Sequence, residues 1–171
     1  MKEIFTFSFL FYFLAISACK TRNDRKFKYS TLVFDTTNTY VFGWDSTRSR
    51  FPPFSEPLAL NNNDIKIADS LMNDAIGKFN NANSKAFFKS FNGQVPIDSF
   101  TIDGLKYKRQ LFPYKDNNGK RIIYLVGFSR LFPAWRSIPY YGGNATGYSE
   151  FRITINLSDT TANDFSIGGF G

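Results

Sequence analysis

Residues 105–130 read LKYKRQLFPYKDNNGKRIIYLVGFSR, and this stretch decides the fold. Two runs with a two-residue period, Leu105–Tyr114 and Lys120–Arg130, flank Asp116-Asn117-Asn118-Gly119. Asn-Gly signals a hairpin because the turn that favours it holds both residues at positive φ. The two runs are therefore expected to pair antiparallel. Ile122-Ile123-Tyr124-Leu125-Val126 is apolar at both phases of a two-residue period, which predicts a central strand covered on both faces.

Downstream, Gly147–Leu157 alternates. Phe151, Ile153, Ile155 and Leu157 share one side, and Arg152, Thr154 and Asn156 the other. One face is expected to meet the core and one the solvent. Asp164–Gly171 reads as a short, Gly-rich last strand. Upstream, Asn62–Asn80 predicts the main helix. Ile65, Ala68, Met72, Ala75, Ile76 and Phe79 recur at three- and four-residue steps, while Lys66, Asp69, Ser70, Asn73, Asp74 and Lys78 fall mostly opposite. Asn61 and Asp64 form a capping-box pair, and Leu60 with Ile65 a hydrophobic staple. The Asn80-Asn81-Ala82-Asn83 run is expected to end the helix, with a further helical turn over Lys85–Phe91.

Nearer the start, Tyr29–Thr36 and Thr39–Trp44 read as strands around the turn Asp35-Thr36-Thr37-Asn38. Arg48–Pro57 is a loop, since Phe51-Pro52-Pro53-Phe54 cannot be helical. The fold class is α+β: one main helix packed on a curved antiparallel sheet, in a single domain over 29–171.

Met1–Cys19 has a different character. Lys2 gives a positive start and Ile4–Ile16 is an apolar run broken only by Thr6 and Ser8. That run suits the core of a secretory signal, roughly 7–15 residues, and falls short of the about 20 needed to span a bilayer. Ile16-Ser17-Ala18-Cys19 resembles the lipobox of bacterial lipoproteins. The resemblance implies cleavage after residue 18 and diacylglycerol and acyl chains on Cys19, the one cysteine of the chain. The alternative is an ordinary cleaved signal. Residues 19–28, with Lys20, Arg22, Arg25, Lys26 and Lys28 against Asp24, lack an apolar period and read as a tether. It is either a solvated spacer or a segment drawn to anionic lipid. The expected location is the bacterial cell envelope, lipid-anchored, with the outer membrane as destination.

The body also carries a resemblance. Tyr107-Lys108-Arg109-Gln110, Asn118-Gly119-Lys120-Arg121-Ile122-Ile123-Tyr124, Trp135, Gly142-Gly143, Ile155-Asn156-Leu157 and Gly168-Gly169-Phe170-Gly171 are similar to a group of small secreted and lipid-anchored bacterial proteins of unknown function. The likeness spans roughly Asn62–Gly171 and transfers no catalytic residue. One helix followed by four antiparallel strands is also similar in order to cystatin-like folds, an analogy of fold and not of function.

The net charge of +7 is concentrated in the tether, and the chain has no histidine. Serine or cysteine triads built on histidine are excluded. With one cysteine and scattered carboxylates, no zinc site is expected. Asp116–Gly119 lacks the ligand spacing of a calcium loop, and no phosphate-cradling glycine motif occurs. No cofactor and no metal are expected. The remaining enzyme reading is a carboxylate-dependent hydrolase of envelope glycans, for which Glu150, Asp98 and Asp103 are the candidates. Lys106-Tyr107-Lys108-Arg109 with Phe112, Tyr114 and Lys115 mixes bases and aromatics as single-strand binders do. In an exported chain it reads instead as a strand with a basic face in water, and no nucleic acid is expected.

Aromatic–proline loops recur at Phe51-Pro52-Pro53-Phe54, Phe112-Pro113-Tyr114, Phe132-Pro133-Ala134-Trp135 and Pro139-Tyr140-Tyr141-Gly142. They either close the ends of a Phe-rich core or present stiff aromatic anchors. On the second reading Trp135, Tyr140 and Tyr141 bind a protein or glycan partner. The expectation is a non-enzymatic, lipid-anchored binding module. Asp35-Thr36-Thr37, Asp45-Ser46-Thr47 and Asp159-Thr160-Thr161 resemble a short bacterial O-glycosylation motif.

Overall fold

The computed structural model describes residues 35–45, 52, 55–90, 92, 94, 101–130, 133–140 and 147–168. The expected signal over 1–18, Cys19, the expected tether over 19–28, Asp98, Tyr141 and residues 29–34 of the first expected strand lie outside them.

The protein is α+β. Helix α1 (Asn62–Phe79) packs on a six-stranded sheet made of β1 (Thr39–Val41), β2 (Glu56–Pro57), β3 (Lys108–Lys115), β4 (Arg121–Phe128), β5 (Glu150–Asn156) and β6 (Thr161–Ile167). The order is β1-β3-β4-β5-β6, with β2 also on β3. β4 is central, as its double-sided apolarity requires. Its odd residues Ile123 and Leu125 face α1; its even residues Ile122 and Val126 face away, into a second core.

α1 begins as its sequence dictates. Asn61 Oδ1 accepts from the Asp64 N–H at 3.0 Å, and Asp64 Oδ2 accepts from the Asn61 N–H at 2.8 Å. Two otherwise unpaired donors of the first turn are thus satisfied. Arg121 Nη2 then meets Asp64 Oδ2 at 2.5 Å, tying the helix start to the start of β4. Ile65, Ala68, Met72 and Ile76 bury their side chains against Leu111, Ile123, Leu125, Phe151, Ile153 and Ile155. On the solvent side, Asp74 and Lys78 pair at 2.7 Å.

The asparagine run does not end the helix. The chain continues through a π-helical turn (Asn80–Ser84) into α2 (Lys85–Ser90). The reason is tertiary: the Asn80 side chain accepts from the Ile102 N–H and donates to the Ile102 carbonyl, both at 2.9 Å. The Asn80 side-chain amide thus goes to a distant backbone, while its own N–H donates to the Ile76 and Gly77 carbonyls at the end of α1.

The β3–β4 hairpin forms around residues 116–119, with a different turn from the one expected. Gly119 sits at φ +74° while Asn118 is not left-handed. Asp116 does the remaining work: its Oδ1 accepts from the N–H groups of Asn118 and Lys120 at 2.9 and 2.8 Å. β1 departs further. It pairs with β3 in parallel, Thr39 opposite Arg109, so the sheet is mostly and not wholly antiparallel. The Arg48–Pro57 loop contributes the two-residue β2, where Pro57 occupies an edge position that asks for no donor.

β6 starts at Thr161, three residues before the expected Asp164. Arg152 pairs with Ser166 but Thr154 pairs with Asn163, so β6 carries one extra residue there. Asp164 lies in that interval at φ +56°. This bulge shifts the strand's phase. Ala162 faces the helix side, and after the bulge so do Phe165 and Ile167.

Candidate functional site

The sheet face away from α1 is built from alternate residues: Gln110, Phe112 and Tyr114 on β3; Ile122, Tyr124, Val126 and Phe128 on β4; Glu150, Arg152, Thr154 and Asn156 on β5. Its β1–β3 side is an aromatic layer. Phe42 stacks on Phe112 with centroids 5.1 Å apart and planes 4° apart, and Tyr40 meets Phe42 edge-on at 4.8 Å.

Residues 133–140 fold over part of this layer because Gln110 holds them. Gln110 is fully buried, and its Nε2 donates to the carbonyls of Trp135 and Ile138 at 2.5 and 2.9 Å. Its Oε1 accepts from the Tyr140 N–H at 2.5 Å. One side chain thus replaces three strand-like backbone bonds and pins the loop.

This corrects the reading of Trp135 as a surface anchor. The indole is 8% exposed and packs against Phe128 at 6.4 Å and Tyr40 at 6.4 Å. Arg136 and Lys108 lie over its ring at 4.6 and 5.6 Å. Trp135 closes the second core. Tyr140 is half-buried, 4.9 Å from Phe128, and Tyr141 is outside the described residues.

The structure brings Tyr140 together with Glu150, which is fully buried and meets Arg152 Nε at 2.6 Å. The Tyr140 hydroxyl is pushed above its ordinary pKa by burial, and then by its hydrogen bond to Glu150 and that residue's charge. A hydrolase would need a second carboxylate facing Glu150. Asp103 does not supply it: it caps the 3₁₀ turn Gly104–Lys106 through the Leu105 N–H at 3.1 Å. That turn packs against Ile76 of α1, on the opposite side of the sheet. Among the described residues no three Asp, Glu or Cys side chains gather as metal ligands.

Arg109, expected on a basic face in water, is instead buried on the helix side. Its Nη1 meets Asp69 Oδ1 at 3.1 Å and its Nη2 approaches Asp35 Oδ2 at 3.7 Å. The basic stretch therefore splits. Tyr107 and Arg109 turn inward, while Lys108 turns outward to Asn38 Oδ1 at 2.7 Å. The Asp69 carboxyl lies above its ordinary value through burial, with Arg109 opposing and the Asp35 charge adding. At Asp35 burial also pushes upward, but hydrogen bonds from Thr37 and Asn38 together with Arg109 outweigh it and leave the carboxyl low.

What stays accessible is a strip toward β6. Tyr124 lies opposite Thr154, and Thr154 opposite Asn163; one step along, Val126, Arg152 and Ser166 form the next row. Tyr124, Arg152 and Thr154 are half-buried, and Asn163 and Ser166 are exposed. An aromatic ring, a hydroxyl, an amide and a guanidinium thus share one face of the sheet. No sequence signal singled out Tyr124. Its place here follows from register, because it is the aromatic residue in the middle of the central strand and lies opposite Thr154 of β5.

No family model matches the chain, and neither the curated proteins nor the solved structures contain a match to it. Among the described residues no helix is long and apolar enough to cross a membrane.

Proposed function

We propose that this chain is a lipid-anchored protein of the bacterial cell envelope, held through Cys19, that binds a protein or glycan partner without catalysing a reaction. The observation that carries the binding half is the accessible row Tyr124–Thr154–Asn163 with Arg152 beside it. Rings flanked by fixed polar groups suit a partner that offers both an apolar face and hydroxyls or amides. Its support is rigid: Tyr124 sits on the central strand, 6.3 Å from the buried Phe112 ring. The separation of Glu150 from Asp103 favours this reading over the hydrolase. Ile16-Ser17-Ala18-Cys19 carries the anchoring half.

The test is site-directed photo-crosslinking in cells. A benzoylphenylalanine at position 124 should yield a discrete adduct with an envelope protein or glycan. The same residue at position 66, on the solvent side of α1, should not. Identical adduct patterns from both positions would refute the assignment of the face.

A further inference from the structure

We propose that the end of the sheet where β3 begins is a membrane-contacting surface, which meets a bilayer containing anionic lipid. The inference rests on the lipid-anchor reading for its biological setting, and on the following geometry for its physical basis.

The exposed large apolar side chains among the described residues are Leu105, 80% exposed, and Ile138, 51% exposed. They belong to different segments, yet the topology brings both to one end. Leu105 lies in the turn that leads into β3, and Ile138 in the segment that follows β4. The first residue of β3, Lys108, pairs with the last of β4, Phe128. Leu105 thus lies at that end on the helix side of the sheet, and Ile138 near it on the other face, its carbonyl bonded to Gln110, the third residue of β3. They project from structured turns: the Asp103 carboxylate holds the Leu105 N–H, and the Ile138 carbonyl is held by Gln110.

Cations surround them. Arg130 and Arg136 are exposed, and Lys106, 80% exposed at its side chain, is balanced by Asp103. Among the described residues the exposed carboxylates at this end, Asp103 and Asp35, are both engaged. Asp103 pairs with Lys106 at 3.6 Å, and Asp35 accepts from the Thr37 and Asn38 N–H groups at 3.0 and 3.3 Å. The opposite end is of another kind. Its turns present Asn117, Asn118, Ser158, Asp159 and Thr160, with Lys120 neutralised by Asp159 at 2.7 Å.

The chain also arrives at the apolar, cationic end. β1 runs parallel to β3, so the Asp35–Asn38 turn before it sits beside the start of β3. Arg136 Nη2 reaches across to this turn, donating to the Thr36 carbonyl at 2.7 Å. Residues 19–28, basic in composition, precede this point. An anchor at Cys19 would draw in the end that has two protruding apolar side chains and a cationic surround, the combination that enters an interface with anionic headgroups. With this end against the bilayer, the strands stand upright on the membrane, and the Tyr124–Asn163 row, which crosses them, runs parallel to it and remains accessible.

The full chain carrying Cys19→Ser has no other cysteine, so single labelling sites are available. An environment-sensitive fluorophore is placed at Leu105→Cys, Ile138→Cys or, as control, Asn118→Cys. Each protein is incubated with vesicles of phosphatidylcholine containing phosphatidylglycerol, and with phosphatidylcholine alone. The expected result is a blue shift and intensity gain at 105 and 138 with anionic vesicles, reduced several-fold on the neutral ones, and no change at 118. No shift at any position, or an equal shift at 118, would overturn the orientation; equal shifts on both vesicle types would overturn the anionic-lipid part. Fatty-acid labelling of wild type against Cys19→Ser in cells judges the anchor separately. Loss of label in the variant supports the anchor, and equal labelling sinks it whatever the fluorophores report.

Discussion

Gly127 stands at a point of β4 where the sheet has no room for a side chain. A Cβ there would lie 2.1 and 2.3 Å from Cε1 and Cζ of Phe151, and 2.8 Å from Cδ1. Ordinary contact begins near 3.4 Å, so the ring of Phe151 must retreat by more than 1 Å in Gly127→Ala. It has nowhere to go. Phe151 is fully buried, with Tyr107 at 5.3 Å on one side and Phe165 stacked at 5.8 Å on another. Overpacking of this kind costs about 1–3 kcal/mol, and three ring atoms in conflict put Gly127→Ala at the upper end. Alanine recovers about 0.5–1 kcal/mol of glycine's chain entropy, leaving a net loss of about 2 kcal/mol. Urea unfolding monitored by circular dichroism should show a lower midpoint at unchanged m. Phe151→Leu, which removes the clashing ring atoms, should make the alanine better tolerated, so that the double variant is more stable than the two single losses summed. A midpoint for Gly127→Ala indistinguishable from wild type, or strictly additive losses in the double variant, would refute the reasoning.

Four further outcomes are expected. Burial raises the Asp69 carboxyl, with the Asp35 charge adding and Arg109 opposing, so the folded state takes up that proton more readily than the unfolded chain. Wild type should therefore gain stability relative to Asp69→Asn as pH falls toward 3.8. Asp35 is lowered, so wild type should lose relative to Asp35→Asn as pH falls below 3.8 toward its lower folded-state value; chemical unfolding on both sides of 3.8 reads the two signs. Gly77 lies inside α1 with nothing within 4 Å of the position a Cβ would take, and Gly77→Ala should stabilise by about 0.5–1 kcal/mol in urea unfolding. Asp64→Ala removes half of the capping box and the partner of Arg121, and should cost about 2–3 kcal/mol in the same assay.

Much of the core was legible because its signals are local. Asn61 and Asp64 specify the start of α1 within four residues, and the two-sided apolarity of Ile122–Val126 specifies a central strand from its own composition. What escaped reading depends on partners far along the chain. The parallel placement of β1 is set by residues about seventy positions away. The π-helical turn at Asn80 needs Ile102. The β6 bulge shows only when Phe165 must reach the helix-side core. Trp135 is the instructive case for the site. An aromatic–proline segment looks alike whether it is presented or pinned, and the difference lies in Gln110, a polar residue inside a strand whose alternation gives no reason to notice it. Tyr124 entered the candidate face for the converse reason: in sequence it is one of five apolar residues, and only register sets it opposite Thr154 of β5.

The parallel pairing of β1 has a kinetic consequence. The meander from β3 to β6 is assembled from neighbours in sequence, whereas Asn38 and Lys108, which bond across the β1 end, are 70 residues apart. A growing chain emerges N-terminus first, so β1 is made long before the strand that receives it. Closing so long a loop is slow compared with forming hairpins. Residues Thr39–Val41 are therefore expected to dock last, onto a sheet already formed, leaving this first-made segment in extended form until the rest has folded.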